Sequence, residues 1–190
     1  MSRTIEIWGF SAKFAVYEPG PDQPKDLFDK NASRPPLDRW QVPKVIETFE
    51  VRGKPALPGD FPGATGFMHF LSPRAVEAMG DVFGRYGILY PISIEGQPEG
   101  WRLFEPTTVV DCLDLERSKV MRSVIPPKDI TTVLQPVFVE YKLPESGLFA
   151  VPQCRHGDVY VCEDIKALVK RHKLKGLVLH ADYYDKPWIS

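Results

Sequence analysis

The segment Asp111-Cys112-Leu113-Asp114-Leu115-Glu116-Arg117-Ser118 places three carboxylates within six residues. Asp111 and Asp114 could act as a general acid/base pair, because neighbouring carboxyls can hold their proton unequally. With Glu116 they could also hold a metal, or form an acidic face for a partner. The same residue types are turn formers and caps, with Arg117 as an ion-pair partner. Physical grounds alone favour the turn.

Other residues invite chemistry more weakly. Cys154, His156 and Cys162, with His172 or His180 as a fourth ligand, are zinc-competent types, but no Cys-x-x-Cys pair holds them in register. The simpler reading is a strand-flanking Cys154, a solvent-facing His156 and a helix-entry Cys162. Cys112 could pair with His69 or His180 as a nucleophile and base. Nothing in the spacing brings them together, and cysteine is commonly a small buried hydrophobe. The basic run from Lys166 to Lys175 could meet phosphate, but a solvated helix end explains it more cheaply. The sequence contains no Gly-x-Gly-x-x-Gly, Walker loop, Gly-x-Ser-x-Gly or His-Glu-x-x-His.

These residues need elements to position them. Thr4 to Trp8 alternates apolar and polar, and Lys13 to Tyr17 forms a second short strand candidate. Nine prolines between Pro19 and Pro62 then remove periodicity. A long ordered cover is expected from Glu18 to about Lys44, anchored by Leu27, Phe28, Leu37 and Trp40. A strand at Val45 to Val51 and a second Pro/Gly-rich connection at Lys54 to Thr65 follow.

Ser72-Pro73 opens a helix, with Ser as N-cap and Pro in the first turn. Val76, Met79, Val82 and Phe83 supply its apolar stripe, and Gly84 a C-terminal cap. Ile88 to Ile94 alternates as a half-buried strand, with Pro91 at an edge or bulge. Trp101, Leu103 and Val109-Val110 continue a hairpin or meander. Further strands are expected at Val137 to Tyr141, Leu148 to Val151, Val159 to Val161 and Leu177 to Leu179. A second helix is expected from Glu163 to Lys175, acidic at its start and basic at its end. Runs of strands with two helices predict an α+β fold, with a mostly antiparallel sheet and a Pro-rich N-terminal cover.

The chain has 190 residues and a formal net charge of −1. One domain, 1–190, is expected: an N-terminal extension over 1–65 and a core over 66–190. The charge balance argues against a globally basic nucleic-acid binder. No apolar run approaches the roughly 20 residues of a membrane span, and no signal-peptide core follows the start. Three cysteines do not make a disulfide framework. A cytoplasmic protein with no membrane partner is expected.

The Asp111–Ser118 segment resembles the Asp-x-Leu-Asp-x-Glu-x-Ser signature of a bacterial polymorphic-toxin immunity family, formerly a domain of unknown function. Leu71 to Val76 resembles that family's Leu-Ser-x-x-Ala helix, followed by the strand Ile88 to Ile94. Gly147 to Val151 resembles its short strand, and Val159 to Leu179 its closing strand and helix. The resemblance covers roughly residues 67–179. The end, Tyr183 to Trp188, departs from the family's Phe-x-Pro-type tail.

The resemblance implies an immunity protein that binds a cognate toxin encoded beside it and neutralises it by direct stoichiometric inhibition. It implies no catalytic residue, metal or cofactor. The candidate partner-binding residues are Asp111, Asp114, Glu116, Arg117 and Trp101, with Phe28 and Trp40 as second choices. Burial in the core is the competing reading for each aromatic. A hydrolase or transferase using Asp111 and Asp114 is the first alternative, favoured by a closed pocket in which the two carboxylates face each other. A self-assembling structural module is the second.

Overall fold

The structure is a computed structural model that describes residues 4–9, 14, 16–24, 34–47, 59–64, 68–124, 129–154 and 158–182. Over these residues the fold is α+β, with two helices and mostly antiparallel sheets.

One sheet has seven strands: β2 (Val16–Pro19), β3 (Lys44–Glu47), β4 (Gly63–Ala64), β5 (His69–Leu71), β6 (Gly87–Pro91), β7 (Ser93–Ile94) and β8 (Arg102–Pro106). Their order is β6-β8-β5-β4-β2-β3-β7. The two outermost strands, β6 and β7, are one stretch of chain interrupted at Ile92, so the sheet closes on itself as a small barrel. The change of neighbour is visible in the ladder. Ile92 N still donates to Trp101 O, while Ser93 N donates to Pro43 O and Glu95 N to Val45 O. Pro91, which has no N–H to give, stands where the strand leaves β8 for β3. Its freed carbonyl accepts the indole N–H of Trp40 at 2.7 Å.

The alternation read from Ile88 to Ile94 describes this strand's inner face. Tyr90, Ile92 and Ile94 point inward with Tyr17, Val45, Met68, Phe70, Trp101 and Leu103. The next residues on the neighbouring strands, Leu71 and Phe104, face the opposite way and meet the first helix.

That helix, α1 (Pro73–Gly84), starts as its sequence predicts: Ser72 Oγ accepts from Ala75 N at 3.1 Å. Ala75, Met79 and Phe83 are buried, while Val76 and Val82 only lean on the core. Gly84 is the last helical residue, not the cap. The C-cap is Arg85, in the right-handed region.

A second sheet runs β11 (Leu148–Phe149), β12 (Tyr160–Cys162), β1 (Ile5–Gly9), β13 (Val178–His180), all antiparallel. Both of its faces are covered. Trp8, Leu148 and Val161 join α1 and the second helix, α2 (Glu163–Arg171), in a central core. Ile7, Phe149, Tyr160 and Cys162 face an outer layer that includes Cys112, Leu113, Val133, Leu143 and Cys154. The expected helix to Lys175 ends four residues earlier, where Lys173 turns to φ 52° and Gly176 to φ 93°.

The outer layer holds a hairpin that the sequence reading missed, β9 (Lys119–Arg122) with β10 (Ile130–Gln135). Conversely, Val137 to Tyr141 is not a regular strand. Phe138 makes one bridge to Leu113, and Glu140–Lys142 turn as a 3-10 segment.

Asp60 ties barrel and helices together. Its buried carboxylate accepts from Ser72 Oγ at 2.8 Å, Arg74 Nη1 at 3.0 Å and Lys175 N at 2.7 Å. Arg74 Nη2 donates to the carbonyls of His172 and Lys173 just past α2. One carboxylate thus joins the start of α1 to the end of α2. No helix among the described residues is long and apolar enough to cross a membrane. Residues 25–33 of the expected cover, which include Leu27 and Phe28, and the strand end at 48–51 lie outside the described residues.

Candidate functional site

The acidic segment runs along the outer layer. Val110 N donates to Ala150 O, Asp114 N to Val137 O at 2.8 Å, and Val139 N to Cys112 O at 2.8 Å. This lattice turns Cys112 and Leu113 into the core and leaves Asp111, Leu115, Glu116 and Arg117 exposed.

Asp114 forms the turn. Its Oδ1 accepts the backbone N–H groups of Glu116 and Arg117, both at 3.2 Å, in an Asx-type arrangement. Arg117 Nη1 lies 3.8 Å from its Oδ2, with the Arg117 side chain 71% exposed. At that exposure the pair adds little stability. Ser118 closes the turn, accepting from Val137 N at 2.9 Å. Asp111 Oδ1 instead accepts from Gln153 Nε2 at 2.8 Å. The two aspartates therefore serve different structural partners, Asp111 exposed and Asp114 half-buried.

The other candidates separate. Cys112 is fully buried, and burial pushes its thiol up to about 11, with Asp111 adding to the effect. A nucleophilic cysteine needs the opposite. His69 lies on β5, its ring centroid 4.4 Å from that of the core residue Trp8. Burial holds its imidazole down to about 3, and its Nε2 has no partner among the described residues. Cys154 Sγ donates to Thr131 O at 3.4 Å, and Cys162 precedes α2. His156 lies outside the described residues, among which no three metal-competent side chains gather. Lys166 pairs with Glu6 at 2.7 Å, so the basic helix partly serves its own sheet.

Trp101 is corrected. It is 5% exposed inside the barrel, stacked edge-on to Tyr17, and belongs to the core rather than to a binding surface. An aromatic beside the turn-rich stretch 96–100 reads as a surface anchor in sequence. The closure of the barrel, which buries it, is a long-range feature. Trp40 is also engaged, its ring 4.6 Å from that of Tyr90.

What sequence reasoning missed is a set of exposed apolar side chains. Seven large hydrophobics are exposed among the described residues, and five lie between residues 109 and 141: Val109, Leu115, Met121, Val124 and Tyr141. Val124 is 92% exposed and Tyr141 86%. All five fall in the stretch of chain that also carries the acidic turn. An open cleft of about 230 Å³ lies elsewhere, at the start of α2, lined by residues that include Glu145, Glu163 and Asp164 but neither Asp111 nor Asp114. Comparison of the chain with protein-family models and with curated proteins finds no match.

Proposed function

We propose that the chain is a protein-binding module that neutralises a cognate toxin by stoichiometric inhibition, using the outer layer around the Asp111–Arg117 turn. The observation that carries this reading is that Leu115, Met121, Val124 and Tyr141 are all exposed within the stretch of chain that also carries exposed Glu116 and Arg117. Aromatic, Met and Arg side chains are the types enriched at protein interfaces. An isolated exposed hydrophobe is ordinary, whereas a contiguous exposed set marks a contact surface. The choice of a toxin as partner rests on the resemblance of residues 111–118 to the immunity signature. Inhibition by occlusion needs complementary shape and charge, and no reacting group.

The test is growth of a heterologous bacterium expressing the neighbouring gene's product, with and without this protein. Rescue together with a one-to-one complex on size exclusion supports the proposal. A toxic neighbour that is neither bound nor neutralised overturns it for that pair. Dimerisation of the free chain through the same layer would favour the self-assembling module.

A further inference from the structure

From Ile165 to Ala181 the sequence carries five lysines and arginines and no carboxylate. Lys166, at the near end, is held by Glu6 at 2.7 Å. The other four, Lys170, Arg171, Lys173 and Lys175, are exposed. The acids of α2 stand in its first turn, where Glu163 lies 3.9 Å from Lys166 Nζ and Asp164 holds Gly147 N. Positive charge is therefore concentrated at one end of α2, in a chain whose formal net charge is −1.

A helix dipole attracts cations to the last turn, which accounts for Lys170 and Arg171. It does not account for Lys173 and Lys175, which lie beyond the helix. Nor does the helix end need them as caps. Leu168 O and Lys170 O accept from the backbone N–H groups of His172 and Lys173, and Val169 O from that of Leu174. Arg74 reaches across from α1 to donate to His172 O at 3.1 Å and Lys173 O at 3.0 Å, while its side chain stays 53% exposed. It brings a fifth cation to this end. Asp60, the carboxylate that meets it, is buried.

Lys173 stands at φ 52°, the one non-glycine at positive φ among the described residues. Just past a helix end this conformation favours glycine, because a Cβ crowds the following carbonyl. Three residues on, at φ 93°, the chain does place a glycine, Gly176. A lysine kept where glycine is more stable points to a use for its charge.

We propose that Lys170, Arg171, Lys173 and Lys175, with Arg74, form a docking site for the phosphate backbone of a nucleic-acid duplex, read by charge and not by base sequence. The make-up of the patch selects this class. A protein interface is anchored by apolar side chains, and a helix that lies on a membrane inserts an apolar face. The exposed large hydrophobics among the described residues are Leu37, Val42 and the five between 109 and 141, none of them on either helix or in 172–175. A single strand is held largely by stacking on aromatics, whereas a duplex backbone is held by cations. The site shares no residue with the toxin-binding proposal and does not rest on it.

Fluorescence anisotropy of a labelled mixed-sequence DNA duplex of about 20 base pairs, titrated with the full chain between about 50 and 200 mM salt, tests it. Four or five neutralised phosphates predict a slope of log affinity against log salt of about −4. Lys173→Gly should weaken binding about fivefold at the low-salt end and reduce the slope by about one, yet raise the melting temperature by about 2 °C. Lys166→Ala removes the cation that Glu6 occupies and should leave affinity within about twofold. A wild-type chain that does not bind the duplex at about 50 mM salt overturns the site. So does a Lys173→Gly chain with wild-type affinity or a lower melting temperature, the latter showing that the lysine serves the fold. A Lys166→Ala chain weakened as much as Lys173→Gly overturns it as well, because the attraction is then diffuse. Vesicles with about 30% phosphatidylserine are the second probe. Capture by vesicles at a salt concentration that abolishes duplex binding assigns the patch to a membrane surface instead.

Discussion

Asp60 is a buried carboxylate with three hydrogen-bond donors, two of them on different helix ends. Removing it leaves Ser72 Oγ and Lys175 N without an acceptor, while the half-exposed Arg74 can turn to water. Asp60→Ala should therefore lower unfolding free energy by about 2–4 kcal/mol, measured by urea denaturation. A loss below about 0.5 kcal/mol would show that water replaces the carboxylate at no cost. His69 makes a second prediction, in pH. Its imidazole is held down to about 3, below the ordinary 6.5, because burial disfavours the cation. The unfolded chain takes up a proton in that window and the native chain does not. The stability contributed by the neutral ring is present above pH 6.5 and is lost as pH falls toward 3. The slope approaches about 1.4 kcal/mol per pH unit. His69→Gln should flatten stability against pH between about 6 and 4 relative to the wild type, a difference that cancels the carboxylates common to both. Parallel curves would show that His69 is protonated without penalty. At this scale the sequence was legible where a residue acts on near neighbours. Ser72 and the turn-forming Asp114 act within three residues of themselves. It was silent on Asp60, whose farthest partner is 115 residues away.

The elements divide along the same line. The start of α1 and the alternation from Ile88 to Ile94 follow from local spacing, and both were readable. The missed hairpin β9–β10 is interrupted by register shifts, and its alternation is correspondingly weak. The overestimated α2 ends where the chain turns left-handed at Lys173, an event that the continuing basic residues conceal. Barrel closure was illegible because it depends on one strand changing partners at Ile92, a decision made by β3 and β8 rather than by the strand itself. A junction between elements offers a further test. Gly147, at φ 98°, precedes β11, and a Cβ there would run into the Tyr86 ring behind α1. Its N–H is held by Asp164 at 3.0 Å and its carbonyl by Cys162 N at 3.0 Å, so the backbone cannot simply retreat. Gly147→Ala should cost about 2–4 kcal/mol in thermal or urea unfolding. Adding Tyr86→Ala should recover part of the clash but not the positive-φ strain, leaving at least about 1 kcal/mol of the Gly147→Ala effect when it is measured in the Tyr86→Ala background. Full recovery would show that the backbone relaxes freely.

At the scale of the whole molecule, the proposed function places binding in a different layer from the one that carries most of the stability. The barrel and central core hold Trp8, Phe70, Phe83, Trp101 and Phe104 out of water. Truncating one of these, as in Phe104→Ala, should cost about 3–5 kcal/mol and weaken any activity only through unfolding. The outer layer behaves differently if it is the contact surface. Tyr141 and Leu115 add little to the fold because water already reaches them, so Tyr141→Ala and Leu115→Ala should leave the melting temperature within about 2 °C. In the complex each would be an anchor, and its truncation should raise the dissociation constant by about tenfold or more. Glu116→Lys and Arg117→Glu should act mainly on the association rate and its salt dependence, because both side chains are exposed and solvated. Calorimetry for stability and surface plasmon resonance for binding, run on the same four variants, separate the two effects. Variants that keep both melting temperature and affinity would remove the outer layer as the toxin-binding face, even where growth rescue had established that the toxin is bound.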